Sequence, residues 1–254
     1  MKRRMFLSFV LICIIFTWLP DTSTGQTQTD IISAPANTGE FIIRTVINRA
    51  KENDVIKKEK LTYKLIYTVN NLNNNEQVTD TEKQETILVE KGGKEQALEL
   101  MRNGRPINKG NKISMPRFEL LKILEAMIRL DDFIVEKIEP TDDRLYYIVT
   151  FKPKPKQKTT GDAEEVIVRS EGKMYVDIEK FYIKKLSAWL TKTYSRVGML
   201  GMNIFNLRRA NIEIEQEELD GIIVMKSAVI IDKYSLFGVE TFEKQSYSYK
   251  DYQK

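Results

Sequence analysis

Residues 61–69 read LTYKLIYTV. Leu61, Tyr63, Leu65, Tyr67 and Val69 alternate with Thr62, Lys64 and Thr68. Side chains of a strand point to opposite faces in turn, so this two-residue period predicts a strand with one dry face. The stretch before it has a different period. Ile42, Ile43, Val46, Ile47 and Ala50 recur at helical spacing behind Asn37-Thr38-Gly39-Glu40, which sets an N-cap with an acid three residues on. A helix is therefore expected over 38–57, and the chain switches from helix to strand near Leu61. After the strand, Asn70-Asn71-Leu72-Asn73-Asn74-Asn75 marks a turn, because asparagine tolerates left-handed backbone. A long polar strand then leads to Ile87-Leu88-Val89, Gly92-Gly93 turns the chain, and Ala97 to Met101 forms the next strand. Asn103-Gly104 is a strong tight-turn signal. Short turns of this kind join antiparallel neighbours, whereas parallel strands need long crossovers.

The same logic runs to the end of the chain. Pro116 opens a second helix whose apolar face is Phe118, Leu121, Leu124, Ile128 and Leu130, widened by Leu120, Ile123 and Met127. Strands are expected over 133–138, 145–151, 173–177, 182–193, 208–218, 222–232 and 239–250, with Asp220-Gly221 and Phe237-Gly238 as turns and 164–169 left unassigned between helix and strand. The expected fold is α+β: a strongly curved antiparallel β-sheet of about ten strands, an incomplete barrel, with two main helices covering its concave face. No internal repeat is present.

The N-terminus reads as a targeting segment. Lys2, Arg3 and Arg4 precede a mostly apolar run from Met5 to Leu19, Pro20 ends it, and Ser23-Thr24-Gly25 offers small residues before Gln26. This is the pattern of a secretory signal over residues 1–25, followed by a polar lead-in at 26–37 and a single domain at 38–254. A retained anchor is the other reading; the run is short against the roughly 20 residues that span a bilayer. No spanning segment is expected once the signal is removed. The 254 residues carry a formal charge of +4, of which residues 1–25 contribute three basic and one acidic side chain. The near-neutral remainder lacks the clustered basic footprint of a nucleic-acid binder.

Histidine is absent, and the one cysteine, Cys13, lies in the signal. Triads with histidine, cysteine nucleophiles, haem or iron–sulfur ligation and ordinary zinc sites are thereby excluded, and no cofactor is implied. Carboxylate-only hydrolysis would need two acids facing one another in a cleft. Asp131-Asp132 and Asp142-Asp143 lack the spacing of a calcium loop and read as turns at strand edges.

Most strands have one dry and one wet face: Ala210, Ile212 and Ile214 against Asn211, Glu213 and Glu215; Leu186, Ala188 and Leu190 against Lys185, Ser187 and Trp189; Val239, Tyr247 and Tyr249 against Glu240, Lys244, Ser246 and Ser248. Ten such strands present more apolar area than two helices cover, and the surplus calls for a filled interior or an apolar ligand. Residues 195–205, SRVGMLGMNIF, are the most apolar stretch after the N-terminal segment. Met is adaptable and Gly permits movement, so the stretch reads as a loop at a cavity rim, or as a hairpin connection tucked onto the core. The expected apolar lining and rim are Met199, Leu200, Met202, Ile204, Phe205, Leu186, Leu190, Ile212 and Ile214. Arg196, Arg208 and Arg209 flank it as expected headgroup or docking contacts. The Lys152, Lys154, Lys156 and Lys158 run reads as a solvated basic loop or a docking patch for anionic headgroups.

The order of signal, helix, meander, helix and meander resembles the LolA/LolB-like lipoprotein-carrier superfamily. Gly172-Lys173-Met174-Tyr175-Val176-Asp177 leading into Ile183-Lys184-Lys185-Leu186 is similar to a run that recurs there. Phe151-Lys152-Pro153-Lys154-Pro155 and the terminal EKQSYSYKDY (243–252) resemble exported bacterial proteins of similar length. The resemblance covers residues 41–252. It implies an incomplete antiparallel barrel holding acyl chains in an apolar hollow under a helical lid. The carriers latch that lid with a strand arginine, for which no position here is marked. The expected function is a periplasmic or outer-membrane-associated, non-enzymatic binder of an acyl chain, lipid or lipoprotein. The alternative is an envelope protein-interaction or stress-sensor module with a filled interior and a protein partner.

Overall fold

Helix α1 (Gly39–Lys57) opens the computed structural model, which describes residues 39–57, 61–91, 94–106, 119–141, 144–198 and 203–253. Strands β1 (Leu61–Leu72), β2 (Val78–Lys91), β3 (Lys94–Arg102) and β4 (Arg105–Pro106) follow, then α2 (Leu120–Leu130). The remaining elements are β5 (Asp131–Thr141), β6 (Arg144–Pro153), α3 (Asp162–Ile167), β7 (Ser170–Asp177), β8 (Ile183–Leu190), β9 (Tyr194–Val197), β10 (Asn203–Leu219), β11 (Ile222–Leu236) and β12 (Val239–Gln253). The strands form one open antiparallel sheet in the order β4-β3-β2-β1-β12-β11-β10-β8-β7-β6-β5. The last strand lies beside the first: Leu65 pairs with Tyr249 and Tyr67 with Tyr247.

The described residues hold twelve strands, not ten, and three helices, not two. The expected strand 182–193 ends at Leu190; a short break at 191–193 separates it from β9. Both pieces pair along the same edge of β10, β8 with Asn211–Glu215 and β9 with Asn203–Leu207. The two pieces are one residue out of step: Asn211 faces Trp189 and Leu207 faces Tyr194, so a step of four residues on β10 is matched by five on the partner, and the break takes up the extra one. The third helix, α3, occupies the segment left unassigned. Its six residues are too short to show a period, and local polar bonds hold it instead. The Thr160 N–H donates to Glu164 (2.7 Å), the Thr159 hydroxyl donates to Glu165, and Arg169 reaches back to the same carboxylate. Pro116 lies outside the described residues, so the start expected there for α2 is not seen; the helix is described from Leu120.

The alternation of β1 places Leu61, Tyr63, Leu65 and Tyr67 in the interior. They join a main core with Ile42, Ile43, Val46 and Ile47 of α1, Leu120, Leu124 and Met127 of α2, and the buried faces of β6–β8 and β10–β12. Both longer helices therefore cover the same face of the sheet. Two close contacts set the position of α1. Gly39, at the start of α1, sits where a Cβ would lie 2.5 Å from the Phe133 carbonyl oxygen. At the other end, the Asn53 side chain donates to the Ile223 carbonyl (2.7 Å) and accepts from the Ile223 N–H (2.9 Å). A second, smaller cluster gathers Val166 of α3 with Tyr194, Phe205, Leu207, Ala210 and Tyr234.

Candidate functional site

Strand period carries polar side chains into the buried face. Ile230 and Tyr234 of β11 point inward, so Asp232 between them does too; Tyr247 of β12 takes Gln245 and Glu243 with it. Across the strands Asp232 pairs with Glu243, Ile230 with Gln245, Tyr247 with Tyr67, and Tyr67 with Gln84. The outcome is a buried polar seam crossing β11, β12, β1 and β2. At the Asp232 end it meets Ala210 and, one inward step along β11, Tyr234, both of the second cluster. At the other end Tyr67 and Tyr247 belong to the main core.

Hydrogen bonds organise the seam around Gln245. Its amide donates to Glu243 (2.7 Å), and its oxygen accepts from the hydroxyls of Tyr67 (3.1 Å) and Tyr247 (3.3 Å), whose rings stack 4.8 Å apart. Neither carboxyl oxygen of Asp232 finds a hydrogen-bond partner of ordinary geometry. Burial first, and then the neighbouring Glu243, hold the Asp232 carboxyl well above the usual carboxylate range, because a buried anion loses its hydration. Burial likewise pushes the Tyr67 and Tyr247 hydroxyls upward. At neutral pH these phenols stay protonated and act as donors. No group of three or more metal-ligating side chains gathers among the described residues.

The apolar residues expected to line one hollow divide between the two clusters. Leu186 and Ile214 pair with each other and are buried in the main core at 3% and 1% exposure, with Ile212 packed against it. Phe205 belongs to the second cluster, and Leu190 packs on that cluster. The carbonyl of Ile204 accepts from the Phe237 N–H (2.8 Å). Met199, Leu200 and Met202 lie outside the described residues. On either side of them, SRVGMLGMNIF forms a hairpin, with Val197 opposite Asn203 and Arg196 opposite Phe205.

Each expected docking cation engages an acid of its own chain. Arg196 bonds Asp162 (2.9 Å), Arg208 bonds Glu240, and Arg209 bonds Glu76 (2.6 Å) while lying 5.7 Å from the Phe242 ring. The ammonium of Lys154 donates to the Ile128 carbonyl (3.0 Å), so part of the basic loop ties down the end of α2. The indole of Trp189 donates to Glu171 (3.0 Å), its cross-strand neighbour. Asp131 is buried and Asp132 exposed at the start of β5, whereas Asp142 and Asp143 lie outside the described residues. The seam residues Asp232, Glu243 and Gln245 were missed by reading the sequence for oily faces. The signal was available: a two-residue step back from Tyr247 lands on Gln245 and then Glu243.

No protein-family model and no curated protein matches the chain. Among solved structures it is similar to a LolA superfamily protein from Nitrosomonas europaea, at 14% identity over 85% of this chain and 93% of that one, with a TM-score of 0.32. It is also similar to a DUF1329 family protein from Desulfovibrio piger, at 11% identity over 83% and 92%, TM-score 0.30. A third is the MucA/MucB complex of Pseudomonas aeruginosa, at 8% identity over 81% and 94%, TM-score 0.23.

Proposed function

We propose that the chain is an exported, non-enzymatic binder of an acyl chain, lipid or lipoprotein, which it holds against the buried face of the sheet. One observation carries this reading. Among the described residues, twelve strands form the sheet against two helices of 19 and 11 residues, and the second cluster draws on the helices through Val166 of six-residue α3 alone. Apolar surface that a chain's own helices do not cover is stabilised by an apolar ligand. The seam beside the second cluster supplies a polar contact for such a ligand's head in a water-poor setting: the carboxyl of Asp232, whose two oxygens lack a hydrogen-bond partner of ordinary geometry. The absence of His, and of Cys after Cys13, fits a binder, since it removes the commonest catalytic groups.

Native mass spectrometry of protein purified from the envelope tests this. A bound lipid-sized mass, and uptake of a fluorescent fatty acid by the delipidated protein, are expected. A homogeneous ligand-free species that takes up no fatty acid overturns the reading.

The second reading, a protein-interaction or sensor module with a filled interior, is favoured by the full burial of Leu186 and Ile214, expected cavity residues that the core encloses. A single stoichiometric envelope partner captured by the ligand-free protein would establish it.

A further inference from the structure

Three hairpin turns of this chain share one backbone geometry. Asn103-Gly104 has φ of 48° and 75°, Asp220-Gly221 has 49° and 80°, and Phe237-Gly238 has 48° and 79°. Positive φ at both central residues is the tight hairpin turn that asparagine, aspartate and glycine fill, since their side chains tolerate the left-handed region. Two of the three turns obey this rule. The third places there a bulky aromatic, for which that backbone is unfavourable. Phe237 gains no burial in return: it is 75% exposed, and Val239 just beyond it is 64% exposed. Neither folding nor solubility accounts for an aromatic ring at that tip.

The surroundings extend the feature. The Phe237 N–H bonds to Ile204 of β10, and the residue before Ile204, Asn203, pairs with Val197 of β9, itself 57% exposed. Two neighbouring hairpins therefore present apolar side chains at one end of the sheet. Residues 191–210 contain Lys192, Arg196, Arg208 and Arg209 and no acid, while Asp162, Glu240 and Glu76 reach three of these cations from other segments. Glu240 and Glu76 are exposed and Asp162 is half-buried; the exposed pairs of Arg208 and Arg209 exchange readily for another anion.

We propose that this end is a docking rim for an anionic lipid surface: Phe237 and Val239 at the tip of the β11–β12 hairpin, with Val197 beside them, enter the acyl boundary while the basic residues of 191–210 meet the phosphates. A projecting tip suits a soft apolar layer, and the cations of 191–210, two of them in exposed, exchangeable pairs, complement an anionic headgroup plane. The inference deepens the acyl-binding reading and rests on it, since such a rim brings the protein to the membrane that holds its ligand.

Flotation with vesicles of phosphatidylethanolamine and phosphatidylglycerol, compared with phosphatidylcholine vesicles, tests the proposal using the mature chain. The wild type is expected to float with the anionic vesicles and to release as salt rises. Phe237→Asn suits the turn, so its unfolding midpoint should equal or exceed the wild type's. Its vesicle affinity should fall about tenfold or more, the loss expected for one buried aromatic side chain. Fatty-acid uptake in solution should be unchanged, which separates this test from that of the binding reading. Wild type that floats with neither vesicle, or Phe237→Asn that floats as the wild type does, overturns the proposal; in the first case the rim belongs to a protein partner.

Discussion

Asp232 stands directly opposite Glu243 in the β11–β12 pairing, and each is only 1% exposed. Tyr67, Tyr247 and Tyr234 are the other titratable groups turned into this face from β1, β12 and β11, and Ala210 is its neighbour on β10. Burial and then Glu243 raise the Asp232 carboxyl, so the folded state holds its proton more tightly than the unfolded chain does. That contribution is fully present below about pH 4, the unfolded value, and is lost as pH rises towards the folded value. Asp232→Asn keeps the shape and removes the titration. Urea unfolding across pH 5–8 should show a flatter profile than the wild type and a gain of about 1–3 kcal/mol at the upper end. An unchanged slope would remove Asp232 from the account.

Asp131 provides an independent pH-dependent term at the opposite side of the sheet. It begins β5, neither of its carboxyl oxygens has a hydrogen-bond partner, and burial, partly offset by Lys154, pushes it up to about 7. By the same sign, stability falls between about pH 4 and pH 7 as this group ionises. Asp131→Asn should match the wild type near pH 4 and exceed it at pH 8 by on the order of 2 kcal/mol. The double variant with Asp232→Asn should be additive, because the two groups share no partner.

Gly172 is a packing glycine. A Cβ there would lie 2.1 Å from the Ser187 carbonyl oxygen, 2.6 Å from the Phe151 ring and 2.9 Å from the Ala188 Cα. Gly172→Ala must push β7 away from β8, at a cost of about 2–4 kcal/mol. Thermal unfolding should show a drop in Tm or loss of the folded state. The same glycine heads the Gly172–Asp177 run, so in this protein its place reflects close strand packing.

Asn53 fastens α1 to β11 through both backbone groups of Ile223. Asn53→Ala removes both bonds and should cost about 1–2 kcal/mol. Hydrogen exchange should rise first in residues 49–57 and around Ile223, with the distant β6–β7 pairing protected as before.

The strands announced themselves in the sequence because alternation survives wherever one face is dry: Leu61 to Tyr67 and Ala210 to Ile214 lie as their period requires. The three tight turns were equally readable from Asn-Gly, Asp-Gly and Phe-Gly. Tertiary effects stayed hidden. The break between Leu190 and Tyr194 takes up one extra residue against the same edge of β10, which no local pattern records. Helix α3 is held by side-chain bonds to Glu164 and Glu165, which leave no hydrophobic period. Asp232, Glu243 and Gln245 were concealed by chemistry: polar residues read as outward unless their parity is followed from Ile230 and Tyr247.

The pairing of first strand with last has a consequence for assembly. Tyr67 and Gln245 meet across 178 positions of chain, and β1 is the bridge by which β2, β3 and β4 reach the rest of the sheet. A ribosome making this polypeptide emits those four strands early, yet they gain their neighbour only when the final hairpin emerges. Folding of that meander is therefore deferred until β12 has been made. Truncating β12 should strand the N-terminal meander without a template, exposing the long edge of β1 to aggregation rather than leaving a smaller folded protein.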